Sequence, residues 1–509
     1  MIRTEIVAPV CELLRRQAER FPDKVAFSDD GSAVTYTELD RMTVNLATQL
    51  RALGLVPGGT VAIWLPNSVD WVISCLAIVR AGGVAVPISY EATSSEVSYR
   101  IEDAACRFIV SRVEKEAATG AVETRILVGA QAPGTVAFEA LCAAPATGIA
   151  LEPDDIDRVS YLVYTSGTTG KAKGVMLTTR SMLWVVAACW APILGMDCDD
   201  RVLSPLPLFH SYALNISVLG IIASGASEHI MERFSTQGTL DRLAGGEFTL
   251  LPGVPTMFHY LLQAAEKAGQ TALPGLRRCV SAGAIMPAGL NRDFEAYFGV
   301  ELLDGYGITE TSTMVTMNWP GKNRVHGSCG LPVPGLAVRL ISPASGLDVA
   351  TGEEGELVCR GPNLMLGYHN KPVDTDAVLR NGWYHTGDLA RSDENGFLTI
   401  TGRLKEIIIR GGQNIAPAEV EEAILPFAGV GDCAVVGVAH ATLGEVPVAF
   451  VVPKEGARIE ETILLEHCRT VLSAYKVPAA VHIVPEIPRT GSGKIMRFKL
   501  RNLVETTAA

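Results

Sequence analysis

The sequence has no CxxC pair, and its eleven cysteines are scattered over 509 residues. No Cys/His group stands at zinc spacing, so no zinc site is expected. A dispersed, odd set of thiols fits buried side chains in a reducing, cytoplasmic compartment. Positive charge is also scarce: 43 Lys and Arg against 55 Asp and Glu give a formal net charge of −12. That argues against a nucleic-acid partner, which needs a basic face, and against an acidic membrane surface. It does not argue against a nucleotide, because a phosphate site needs only local donors. The charge-free run from Val202 to Ser227 holds Pro205, Pro207, His210 and Asn215. It reads as buried loop, strand and helix, not as a transmembrane segment. Met1 to Lys24 carries charges throughout and has no apolar centre, so no signal peptide is expected.

What is present centres on Tyr164 to Arg180, YTSGTTGKAKGVMLTTR. Thr165, Ser166, Gly167, Thr168, Thr169, Gly170 and Lys171 form a run of hydroxyls and glycines ending in a cation. Hydroxyls donate to phosphate oxygens, and glycines let backbone N–H groups turn toward an anion. Lys171 and Lys173 add positive charge where a polyphosphate would lie. The apolar, β-prone Val159 to Tyr164 predicts a strand entering this loop. It is not a Walker A loop: Thr165 stands where the first Gly would be, and Ala172 follows Lys171.

Length demands two or more domains. Val10 to Phe21 has helical periodicity and is stopped by Pro22. Lys24 to Phe27 and Ala33 to Thr37 read as paired strands, and Tyr36 to Leu53 as a helix. Thr60 to Leu65, Ser68 to Arg80 and Val84 to Ile88 continue as strand, helix, strand. This alternation predicts an α/β domain with a largely parallel sheet. Residues 112–155 are Ala-rich, weakly patterned and expected to be peripheral. Further units follow: strands at Phe248 to Leu251, Arg278 to Ser281 and Glu301 to Leu303, and a helix at Thr256 to Ala268. From Gly327 to Thr401 short strands separated by Gly, Pro and Asp predict a β-rich part. The tail from Gly402 has the size and pattern of a small α+β domain.

Five other stretches carry polar groups in suggestive settings. His210 sits among apolar residues in Pro207 to Asn215, where the plain alternative is a packed core histidine. Gly305-Tyr306-Gly307-Ile308-Thr309-Glu310 places a hydroxyl and a carboxylate after a strand, where ligands sit in α/β sheets. Trp383 to Asp388 offers a carboxylate after a tight turn, which could equally be a cap. Gly402 to Gln413 joins cations to a glycine pair. Pro488 to Arg497 is a Gly/Ser loop carrying Lys494, which could equally be a solvated lysine.

Together, and in this order, these motifs resemble the adenylate-forming superfamily of acyl-CoA ligases, nonribosomal adenylation domains and luciferases. The resemblance runs from about Pro22 to about Arg501, with a texture similar to 4-coumarate:CoA ligase-like and fatty acyl-CoA ligases. It implies an α/β fold: a large N-terminal domain (1–401) of α/β subdomains plus a β-barrel-like subdomain, and a small α+β lid (402–509). The lid would rotate between adenylation and thioester formation. ATP, Mg²⁺ and CoA are the implied cofactors. Monomer or homodimer is the expected state, with an acyl carrier protein as a further partner to consider.

The resemblance also implies roles. Thr165 to Lys173 would hold the β- and γ-phosphates, Thr309 the α-phosphate, and Glu310 and Thr165 the Mg²⁺. Ser281, Ala282, Gly283 and Ala284 would border adenine and the acyl pocket. Asp304, Gly305, Tyr306 and Gly307 would line the nucleotide, with Tyr306 stacked on the base. Asp388, helped by Arg403, would accept the ribose hydroxyls, and Gln413 would contact the adenylate. Lys494 would bridge carboxylate and α-phosphate, and Lys405 would be the hinge. Gly411 and Gly412 would line the pantetheine tunnel, and His210 would gate the carboxylate.

The acyl pocket would draw on His210, Tyr212, Asn215, Ala282, Ala284, Ile308, Met314 and Val315. None is Lys or Arg, so a second carboxylate would be left unpaired. Malonate-activating relatives carry Arg where Gly305 stands. Amino-acid-activating relatives carry Asp where His210 follows Phe209. A medium- or long-chain fatty acid is the expected substrate, with an arylpropenoic acid as the alternative. Carrier-loading relatives tend to have an insertion before the hinge. None fits between Gly327 and Gly402, so CoA is the expected acceptor.

Overall fold

The computed structural model describes residues 1–112, 115, 122–129, 132–146, 151, 155–165, 172–411, 413–440, 442–489 and 495–507. The chain divides into two compact units. The first holds residues 1–326, 330–337 and 360–384; the second holds 327–329, 338–359 and 385–509.

Among the described residues the first unit contains two large sheets. The nine-stranded one runs in the order Leu331–Pro332, Thr316–Met317, Glu301–Tyr306, Arg278–Ser281, Leu250–Gly253, Arg201–Ser204, Ser227–Ile230, Val25–Ser28, Ala33–Thr35. Its strands from Glu301–Tyr306 to Val25–Ser28 are parallel. The eight-stranded one runs Gly367–Tyr368, Lys173–Thr178, Val159–Thr165, Val84–Pro87, Thr60–Trp64, Phe108–Arg112, Thr124–Val128, Val136–Ala137. Strands such as Val84–Pro87 are buried along their whole length, as parallel strands covered on both faces must be. Helix Val69–Arg80 is buried except at Asp70, which explains its almost unbroken apolar sequence. Ser68 caps it by accepting from the Trp71 N–H. Capping boxes at Thr35/Glu38 and Thr93/Glu96 start helices Tyr36–Ala52 and Ser94–Asp103.

The α/β class expected from the pattern is the one observed. Two expectations need correction. Residues 112–155 are not merely peripheral: Thr124–Val128 and Val136–Ala137 complete the edge of a sheet, with Ile126, Leu127 and Phe138 buried. The strand beginning at Glu301 does not stop at Leu303 but continues to Tyr306. Gly305 and Tyr306 pair with Met317 and Thr316, so tertiary pairing extends the strand through a glycine.

In the second unit Asp388 to Ser392, the end of the strand Trp383–Ser392, pair antiparallel with Leu398–Arg403. Its C-terminal part is the expected α+β body. A sheet ordered Gln413–Ile415, Ile408–Arg410, Gly444–Pro453, Val430–His440, with Ala480–Ile483 beside Gly444–Pro453, carries helices Pro417–Ile424 and Glu461–Val471. Ile408, Val420, Val435, Val451 and Leu464 form its apolar centre. Among the described residues no helix is long and apolar enough to cross a membrane.

Candidate active site

In the first unit, loops leaving the carboxyl ends of parallel strands bring the predicted residues together. Arg201–Ser204 leads to His210, Arg278–Ser281 to Gly283, and Glu301–Tyr306 to Thr309 and Glu310. Ser281 and Asp304 are register partners on adjacent strands, so their following loops start side by side. Crevices at such strand ends are where open α/β sheets hold ligands.

Thr309, Glu310 and Thr311 form one 3₁₀ turn. The Thr309 hydroxyl lies 3.1 Å from that of Ser211, which ties this turn to the His210 segment. His210 caps the short helix Ser211–Ala213, its Nδ1 accepting from the Tyr212 N–H at 3.3 Å. Its proton therefore sits on Nε2 when the ring is neutral. Burial pushes the His210 pKa down to about 4, so the ring is neutral at pH 7.

The turn is followed by strained backbone. Ser312 and Thr313 have φ of 52° and 107°, in the left-handed region that glycine normally occupies. Such residues cost of order 1–3 kcal/mol each and persist only where the surroundings impose them. Here the buried Asn363 donates from Nδ2 to the carbonyls of Thr311 (2.9 Å) and Met314 (2.8 Å). Each such bond offsets about 1 kcal/mol. Asn215 donates to the Ser312 carbonyl at 3.3 Å and to the Met182 carbonyl, while its Oδ1 accepts from Trp190 Nε1. Gly307 has no alternative residue: a Cβ there would lie 1.6 Å from the Thr313 oxygen. At Gly305 a Cβ would meet Met314 Cε at 2.3 Å, Met317 Sδ at 2.7 Å and the Thr316 carbonyl oxygen at 2.9 Å, so a side chain there would require its neighbours to shift.

Asp304 is buried, its Oδ1 has no hydrogen-bond partner among the described residues, and burial raises its pKa well above the usual carboxylate range. Tyr212 donates to the Val280 carbonyl at 3.1 Å. Met314 and Asn215 are wholly enclosed, whereas Ile308 and Tyr306 are half-buried. Ala282 is buried, and Gly283 and Ala284 are exposed.

Thr165 and Lys173 are register partners at the ends of the hairpin strands Val159–Thr165 and Lys173–Thr178. Ser166, Gly167, Thr168, Thr169, Gly170 and Lys171 lie outside the described residues, as do Gly412 and Lys494. Both hairpin strands are anchored by neighbouring tyrosines. Tyr164 donates to Asp103 Oδ2 at 2.7 Å, and Tyr99 donates to the Ala172 carbonyl at 2.8 Å. Lys173 Nζ lies 3.0 Å from Asp374 Oδ1.

In the second unit, Asp388 and Arg403 are register partners, and their side chains form an ion pair, Nε to Oδ1, at 2.6 Å. Asp388 is nearly buried. Lys405 is exposed in the turn after Leu398–Arg403. Gly411 has φ of +57° and donates its N–H to the Leu443 carbonyl. Gln413 is exposed on the edge strand Gln413–Ile415.

No group of three or more His, Cys, Asp or Glu suited to a metal exists among the described residues. A single carboxylate such as Glu310 fits Mg²⁺, which keeps its waters and takes its other ligands from substrate phosphates. Sequence reasoning passed over Asn363 and Tyr368. Their signal is weak, an amide and a phenol in an otherwise ordinary Gly/Leu-rich stretch.

Residues 14–369 match the AMP-binding enzyme family, and residues 419–494 match the AMP-binding enzyme C-terminal domain. The chain is similar to a feruloyl-CoA synthase of Amycolatopsis sp, 36% identical over 96% of this chain and 97% of the relative. It is similar to a long-chain-fatty-acid–CoA ligase of Yersinia pestis, 34% identical over 96% of this chain and 93% of the relative. Among solved structures, the anthranilate CoA ligase AuaEII in complex with anthranoyl-AMP superposes with a TM-score of 0.92 at 26% identity, covering 98% of each chain.

Proposed function

Since the chain belongs to the AMP-binding enzyme family and is an AMP-forming acid–thiol ligase, we propose that it joins an apolar monocarboxylic acid to CoA through an acyl-adenylate. A carboxylate oxygen attacks the α-phosphorus of ATP. The bond from that phosphorus to the α,β-bridging oxygen breaks, and pyrophosphate leaves with the electron pair. The CoA thiolate then attacks the acyl carbon, and AMP leaves.

Attack at phosphorus needs positioning and charge neutralisation more than covalent help. Thr309 hydrogen-bonds toward the α-phosphate from a turn already fixed by Ser211. Glu310 and Thr165 would hold Mg²⁺, which when bound offsets phosphate charge. Asp304, whose carboxyl is held above the usual carboxylate range by burial, would border the adenine. Asp388, paired with Arg403, would take the ribose hydroxyls by the family resemblance. The lid would comprise 402–509, with Lys405 as its hinge, Lys494 acting in adenylation, and Gly411 and Gly412 giving CoA its path.

The observation that carries the substrate reading is Gly305, packed against Met314 and Met317. This position supplies no cation, so a second carboxylate placed beside it would be buried unpaired, at a cost of several kcal/mol. A medium- or long-chain fatty acid is our first reading. The similarity to feruloyl-CoA synthase favours an arylpropenoic acid as the second. Mass spectrometry of products from Mg·ATP, CoA and acids from acetate to palmitate, plus coumarate, benzoate and malonate, decides between them. Acyl-CoA from C8 to C16 acids supports the first reading, and coumaroyl-CoA the second. Malonyl-CoA would sink both. Acyl-AMP that persists beside CoA would point to a carrier-protein acceptor.

A further inference from the structure

We propose that Tyr368 is a positioning residue for the Glu310 carboxylate, and that the segment Asn363 to Asp374 couples this carboxylate to the phosphate-loop hairpin. The inference rests on Glu310 as the residue that meets the divalent cation.

The Tyr368 hydroxyl donates to Glu310 Oε1 at 2.9 Å. The Met365 N–H donates to the Glu310 backbone carbonyl at 2.9 Å. Asn363 holds the carbonyls of Thr311 and Met314 on the far side of the same turn. Both the backbone and the side chain of Glu310 are therefore tied to one short segment.

That segment is fixed in turn to the hairpin. Gly367 and Tyr368 pair antiparallel with Met176 and Val175. The Leu366 N–H donates to the Met176 carbonyl, and the His369 N–H to the Gly174 carbonyl. Lys173, which begins the hairpin strand Lys173–Thr178, sits 5.0 Å from the centre of the Tyr368 ring while paired with Asp374. Thr375 Oγ1 accepts from the Tyr368 N–H at 2.9 Å, which locks the tyrosine's own backbone.

The geometry has a chemical consequence. A carboxylate that must meet a cation bound mainly by phosphates has to stand at a set distance from those phosphates. The hairpin carries Thr165 and Lys173, and the 3₁₀ turn carries Glu310, on different sheets. Tyr368 touches both. Its hydroxyl holds one oxygen of Glu310 and so orients the carboxylate, the usual part of a residue that supports a metal ligand.

The test is Tyr368→Phe, which removes only the hydroxyl. Mn²⁺ is titrated by electron paramagnetic resonance into the enzyme with α,β-methylene-ATP, beside Glu310→Gln and the parent protein. We expect a roughly tenfold weaker Mn²⁺ midpoint in Tyr368→Phe, the low end for loss of a supporting residue. Binding of the nucleotide without metal, and thioester formation from supplied acyl-AMP, should be unchanged. The adenylation rate should recover at high Mg²⁺, which a merely structural defect would not allow. If Tyr368→Phe binds Mn²⁺ like the parent while Glu310→Gln is weakened, the proposal for Tyr368 is overturned and the role of Glu310 stands. If neither variant shifts the midpoint, the metal role of Glu310 itself is overturned. Should Tyr368→Phe fail to fold, Asn363→Ser loosens the same turn and is expected to weaken Mn²⁺ by about threefold, below the range for a direct support. No shift there would overturn the coupling.

Discussion

The turn around Glu310 and the stretch from Lys405 to Gln413 both contain glycines and charged groups, yet they are held in opposite ways. Glu310 lies in a turn that leads into strained backbone at Ser312 and Thr313 and is pinned by Asn215, Ser211, Asn363 and Tyr368. In the other stretch Lys405, Gly411 and Gln413 are exposed. Gly307 is required because a backbone oxygen occupies the space of its Cβ. Gly411 is favoured only by its φ, since the nearest atom to a Cβ is a leucine methyl at 3.7 Å. The difference fits the division of labour proposed for the two regions. Transition-state charge needs fixed groups, whereas a hinge and a tunnel need backbone that is free to turn.

The widest contrast comes from splitting the two half-reactions. Lys494→Ala should lower acyl-AMP formation about a hundred- to thousand-fold, as loss of a charge-stabilising group does. Thioester formation from supplied acyl-AMP should survive, as read by product mass spectrometry. Equal loss of both steps would refute the assignment. Gly412→Leu should act in reverse, slowing the thiol step about a hundredfold by misplacing the nucleophile. Adenylate should then accumulate; undiminished thioester formation would remove Gly412 from the tunnel.

A smaller effect sharpens the glycine contrast. Gly307→Ala should cost about 3 kcal/mol, the upper end for overpacking, because backbone has to move. Gly411→Ala should cost only about 1 kcal/mol, the left-handed backbone penalty. Denaturant midpoints of the two variants test the ranking, and equal costs would dissolve the distinction.

The smallest expected effect concerns pH. The folded chain holds His210 near 4, below its ordinary 6.5. The unfolded chain therefore takes up this proton first as pH falls. The stability that neutral His210 permits is complete above about 6.5 and is lost progressively from there toward 4. His210→Asn should flatten that part of the stability curve between pH 7 and 4.5. An unchanged slope would show that the ring is not held neutral.

Much of the fold was readable because its signals are local. Helix Val10–Arg20 has a strong apolar stripe, and Ser68 and Thr35 announce helix starts. Burial on both faces writes long apolar runs into the parallel strands. Elements lost their signal where the partner, not the segment, decides the conformation. Thr124–Val128 is a strand because Phe108–Arg112 lies beside it, and Glu301–Tyr306 passes through Gly305 because Thr316–Met317 pairs with it.

The site divides along the same line. The order of the hydroxyl-glycine loop, Thr309-Glu310, Asp388 and Lys494 is a property of the chain, and it carries the family resemblance that implied the reaction class. Which side chains hold Glu310 in place was a tertiary matter. Tyr368 is 58 residues from Glu310, and Asn363 is 52 from Thr311. No local pattern links such positions, because a phenol or an amide has the same sequence context whether it meets a carboxylate or water. Only the pairing of Gly367–Tyr368 with the hairpin strand Lys173–Thr178 brings them there. Sequence thus fixes the groups that do chemistry, since chemistry selects residue types. Position is set by packing, which can be satisfied by many types from anywhere in the chain.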